Sequence, residues 1–134
     1  MQDYRKLTVW GHAHGVVLHV YRVTGTWPAR RDAGLGAQLR RAAASVPANI
    51  VEGCSRASRT EFARFLDIAY ASAAEVEYHL LLARDLGLCA DRDYDDLSNK
   101  IDHVQRMLRG LQYRVREEGG RSTARTASRV TRND

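Results

Sequence analysis

Apolar residues recur three and four apart along most of this chain, which is the period of an amphipathic helix and not of a strand. The first run covers residues 9–24, with Thr8 as its expected N-cap. Its face is Val9, Ala13, Val16, Val17, Val20 and Val23, with Trp10 and Tyr21 at the margins. Gly25 ends it, and Trp27-Pro28 makes a connector. A second run over 33–56 places Leu35, Leu39, Ala42, Ala43, Val46, Ile50 and Cys54 on one side. Pro47 falls inside it, so a kink is predicted there and not a break. The third run opens on Ser58 and Glu61 in capping-box spacing, continues along Phe62, Phe65, Leu66, Ala69, Ala73, Val76, Leu80 and Ala83, and stops at Gly87.

The fourth run begins after Asp91, where Asp93, Asp95 and Asp96 suit the positive end of a helix dipole. Leu97, Ile101, Val104, Leu108, Leu111 and Val115 form its stripe, and Gly119-Gly120 is the expected stop. Short connections imply antiparallel neighbours, so the fold class is all-α, an up-down-up-down four-helix bundle over residues 1–118. Residues 119–134 carry Arg, Ser and Thr with little to bury, and read as a disordered Arg-rich tail.

Composition agrees. At 134 residues the chain fits one domain, its core built from aliphatic residues because aromatics make up only 7%. Cys54 and Cys89 have no paired spacing, no segment is long and apolar enough for a membrane span, and the polar start does not read as a signal peptide. A cytoplasmic protein with free thiols, away from membranes, is the expectation.

The net charge of +5 permits an acidic partner such as RNA or DNA. Arg106, Arg109, Tyr113 and Arg116 lie opposite the apolar stripe of the fourth helix, and Arg121 and Arg125 follow in the tail. Arginines interleaved with a tyrosine can hold phosphates and stack on an unpaired base. Arg-rich helix faces are also simply solvated.

A second polar group lies on helices two and three. At about 100° per residue, Gln38, Arg41, Ser45, Asn49, Glu52 and Arg56 fall on one narrow stripe. Ala37, Ala44, Ala48 and Val51 on the far side suggest a second packing neighbour, naturally another subunit. Ser72, Glu75 and His79 of the third helix are placed to meet this stripe, and because a buried carboxylate is costly unless paired, Glu52 and Glu75 are expected to contact Arg41, Asn49, a backbone amide or another subunit. A satisfied network that fixes register is the plain reading of these residues. A di-iron site would need two Glu-x-x-His pairs, whereas Glu75 and His79 are four apart and His12 and His14 point to different sides. The single histidines read as surface or boundary residues. No catalytic residue, metal site or cofactor is predicted.

The run Gln38-Leu-Arg-Arg-Ala-Ala-Ala-Ser-Val-Pro-Ala-Asn-Ile-Val-Glu-Gly53 resembles the signature of the bacterial four-helix proteins encoded in 23S ribosomal RNA intervening sequences. Leu7-x-Val-Trp10, Trp27-Pro28, Glu61-Phe-x-x-Phe-Leu-x-Ile-Ala69 and Ser72-x-x-Glu75 extend the resemblance. It implies a four-helix bundle assembled as a ring-like homopentamer, no known enzymatic activity, and an RNA connection. It is also distantly similar to the accessory protein of diversity-generating retroelements, which implies a reverse transcriptase as an alternative partner. Gly11 after Trp10, and Ala71 and Ala73 around Ser72, depart from the usual pattern.

Overall fold

The computed structural model describes the backbone from Gln2 to Thr131 and the side chains of residues 2–119. Among the described residues every regular element is helical. A 3-10 turn, Tyr4–Lys6, leads into α1 (Thr8–Thr24); a single turn, α2 (Ala29–Asp32), precedes α3 (Leu35–Cys54), α4 (Arg59–Asp85) and α5 (Asp91–Thr131). The four long helices pack in a closed square, α3 against α1 and α4, and α5 against α4 and α1. Contacts along each seam run in opposite senses: Gly53 meets Phe62 while Ser45 meets Ser72, and Asp67 meets Arg116 while Tyr70 meets Arg109. Successive long helices are therefore antiparallel.

The stripes read from the sequence form the core. Val20, Leu39, Ile50, Leu66, Leu80, Leu97, Val104 and Leu108 lose all contact with solvent. Each such side chain contributes roughly 1.5–3 kcal/mol of hydrophobic stabilisation.

The helix ends correct several expectations. Thr8 is the first helical residue and not the N-cap, a position taken by Leu7 without a side-chain bond; the preceding turn is capped by Asp3. The second long helix starts at Leu35 and not at residue 33, because Ala33 and Gly34 both adopt positive φ, 50° and 84°. Asp32 then accepts the Gly36 N–H at 2.5 Å, doing from the neighbouring turn what an N-cap side chain does. Ser58 caps α4 by accepting from the Glu61 N–H at 3.1 Å, while the Glu61 carboxylate is engaged by Arg64. Gly87, at φ +74°, ends α4 in a Schellman arrangement: Leu88 N–H bonds to Ala83 O and Gly87 N–H to Arg84 O, both at 2.9 Å.

Gly119-Gly120 does not stop the last helix, which runs on to Thr131. A glycine costs about 1 kcal/mol in a helix interior, a penalty that an already nucleated helix can absorb. The side chains expected to form the tail, Arg121 and Arg125 among them, lie outside the described residues.

Candidate functional site

The polar stripe of α3 exists, but it divides into a knit centre and open flanks. Asn49 Nδ2 donates to the Ser45 carbonyl at 2.7 Å and to Ser45 Oγ at 3.0 Å, and the Ser45 and Ser72 hydroxyls lie 2.8 Å apart. The spacing has a local cause. Pro47 has no N–H and so removes one backbone bond from the middle of α3. Two residues later the Asn49 amide adds a bond to a carbonyl in the same turn. The helix passes Pro47 unbroken.

Around this centre, Gln38, Arg41, Ser45 and Glu75 line an open depression of about 530 Å3 between α3 and α4. Gln38, Arg41, Glu52 and Glu75 are all exposed in the protomer, so neither carboxylate is buried within the chain itself. Glu52 pairs with Arg56 at 2.5 Å across one helical turn, and Glu75 Oε1 lies 4.0 Å from His79 Nε2. On the far side of α3, Ala37, Ala44 and Val51 are half-buried and Ala48 is exposed, and Arg40 on the same side faces α1. Arg40 Nη1 reaches Thr24 Oγ1 of α1 at 3.0 Å, with its guanidinium over the Tyr21 ring.

His79 departs from the surface assignment. It is 9% exposed, and its Nδ1 is buried without a hydrogen-bond partner. A histidine at the edge of an apolar stripe reads equally as core or boundary, so its burial carries no sequence signal. Among the described residues, neither serine hydroxyl meets an imidazole or carboxylate that could activate it. Among the described residues, no group of three or more His, Cys, Asp or Glu side chains is placed to hold a metal ion.

On α5, Arg106, Arg109 and Arg116 have partners in their own chain. Arg106 pairs with Asp102 at 3.1 Å. Arg109 donates to Tyr70 Oη at 2.9 Å and lies over that ring. Arg116 pairs with Asp67, whose other oxygen accepts from Gln112 at 2.7 Å. Tyr113 projects outward, 70% exposed. The predicted basic face is thus half an α4–α5 seam. Helical period assigns a face to each arginine but does not reveal the acceptor on the neighbouring helix.

The larger opening was not predicted. A groove of about 760 Å3 between α1 and α5 is lined by Gly11, His12, Gly15, Leu18, Asn99 and His103, among others. A Cβ added at Gly11 or Gly15 would meet nothing within 4 Å, and Leu18 is 48% exposed.

Residues 5–110, which include Ser45, Asn49 and Ser72, match the model of the family described as 23S rRNA-intervening sequence protein. The chain belongs to that family. Arg106 and Arg109 fall within the family match, while Tyr113, Arg116, Arg121 and Arg125 fall beyond it. No curated protein matches the chain. Among solved structures, a protein of unknown function from the S23 ribosomal protein family of Bacteroides thetaiotaomicron superimposes with a TM-score of 0.74 at 22% identity, covering 78% of this chain and 95% of that one. At that identity the likeness speaks for a shared fold. Among the described residues of this intervening-sequence protein, no helix is long and apolar enough to cross a membrane.

Proposed function

We propose that this intervening-sequence protein is a non-enzymatic, cytoplasmic adaptor that works as a homo-oligomer, a ring-like pentamer, built through the outer α3–α4 face. One observation carries the reading: Gln38, Arg41, Glu52 and Glu75 of the family-like motif are exposed in the protomer and stand outside its core. Polar side chains grouped on a solvent face around an open depression are suited to contact between copies. Ile68 on α4 and Leu86 at its C-cap add exposed apolar area. Opposite charges on one protomer, Arg41 and Glu75, fit the heterologous contacts that close into rings.

Light scattering on the purified chain tests this directly. The expected mass is a multiple of 15.1 kDa, fivefold for the pentamer, and Arg41→Glu should reduce it. A wild-type chain that stays monomeric at micromolar concentration overturns the reading.

A second component is contact with RNA or DNA through Tyr113, Arg106, Arg109 and Arg116, with Arg121 and Arg125 in the tail beyond residue 118 that we assign as a separate region. The exposed Tyr113 ring supports it. Binding should weaken steeply with added salt, by a slope of about −0.7 per neutralised phosphate on single strands. Salt-independent binding, or none, removes this component. An accessory role beside a reverse transcriptase rests on the same surface and falls with it.

A further inference from the structure

Spacing along α1 keeps His12 and His14 apart, yet the fold gives His12 a different partner. His103 of α5 faces it across the α1–α5 seam, with ring centroids 4.9 Å apart and ring planes at 73°. Two imidazoles sharing a tetrahedral zinc at about 2.0–2.1 Å from each nitrogen have centroids roughly 5 Å apart. The separation is set by two helices packed against each other, and both rings are exposed, so rotation of each ring can turn a nitrogen into the gap. His14, by contrast, is stacked on Trp10, and His19 Nδ1 lies 3.0 Å from Lys100 Nζ.

The pair opens onto the 760 Å3 groove, where Gly11 and Gly15 leave space for water to complete a coordination shell. Arg22 and Lys100 also line the groove and oppose a cation, so affinity falls short of that of a site with three protein ligands.

We propose that His12 and His103 form a two-imidazole site for a divalent transition-metal ion, with water in the remaining positions, that clips α1 to α5. Nitrogen ligands of this kind select Cu2+ over Ni2+ and Zn2+, and pass over the hard ions Mg2+ and Ca2+.

The test uses the full-length chain without an affinity tag. Calorimetric titration with zinc chloride should give one ion per chain. At zinc one hundred times its Kd, Tm should rise by on the order of 10 °C, and EDTA should reverse the rise. His12→Ala and His103→Ala should each weaken binding at least about tenfold, whereas His14→Ala and His19→Ala should leave it unchanged. Electron paramagnetic resonance of the Cu2+-loaded wild type should show coupling to two nitrogens, a readout that needs no variant. No Tm shift at millimolar zinc, unchanged binding by His12→Ala, or a single coupled nitrogen would each overturn the proposal.

Discussion

Replacing glycine by alanine inside a helix ordinarily stabilises it, by about 0.5–1 kcal/mol, because alanine loses less backbone freedom on folding. Gly53 should reverse that sign. A Cβ there would lie 2.9 Å from Phe62 Cδ2, 3.0 Å from Phe65 Cβ and 3.4 Å from Phe62 Cε2. Both phenylalanines are buried at the start of α4, and Phe65 Cβ can move only with its backbone. Forcing an extra methyl into such a contact costs about 1–3 kcal/mol. Set against the helix gain, Gly53→Ala should destabilise the protein by about 1 kcal/mol, and Gly53→Val by more. Gly11→Ala and Gly15→Ala make the same chemical change where nothing lies within 4 Å, and should each stabilise by about 0.5–1 kcal/mol. Urea unfolding at one fixed protein concentration measures all of these, since the midpoint of an oligomer depends on concentration. The predicted spread between Gly53→Ala and Gly11→Ala is about 2 kcal/mol, well above the error of the method. A Gly53→Ala protein as stable as wild type would refute the close α3–α4 approach. A destabilised Gly11→Ala would mean the α1–α5 groove is covered in solution.

Two further outcomes follow from buried groups. His79→Leu removes an imidazole nitrogen that has no partner and should leave stability unchanged or raise it by up to about 1 kcal/mol; a loss beyond that in thermal unfolding would show that Nδ1 is satisfied in solution. Burial and the nearby Asp93 and Asp91 push the Cys89 thiol up to about 11 from an ordinary 9.0. At pH 8 its thiolate, and hence its alkylation by iodoacetamide, should be about a hundredfold scarcer than for a free thiol. Because the folded form holds its proton longer than the unfolded form, this group's contribution is intact below pH 9 and is lost as pH rises from 9 toward 11. A pH-independent urea midpoint across that window would contradict the burial of Cys89.

The helical periods made the core legible, because Leu39, Leu66, Leu80 and Leu108 are buried for the same reason they recur in sequence. The Ser58 cap and the Gly87 stop were also readable, since each acts through its own backbone neighbourhood. The break at Ala33-Gly34 was missed because a positive φ at alanine has no sequence signal. Gly119-Gly120 misled in the other direction: glycine permits a stop without compelling one. At the candidate surfaces, Ser45, Asn49 and Ser72 share hydrogen bonds, whereas Glu52 and Glu75 on the same faces stand exposed in the protomer. A face assignment gives direction around a helix and not depth. Cross-helix partners such as Asp67 for Arg116, or His103 for His12, depend on the vertical offset between helices, which no single period encodes.

The closed square of helices also has a temporal meaning. Three of its seams join neighbours in the chain, whereas the fourth joins α1 to α5, so that His12 waits for a residue translated some ninety positions later. During synthesis the first helix must dock on α3 and stand with one flank wet until the last helix arrives. The same edge, thinned by Gly11 and Gly15, is where the finished bundle would open first, and amide exchange along α1 should begin there.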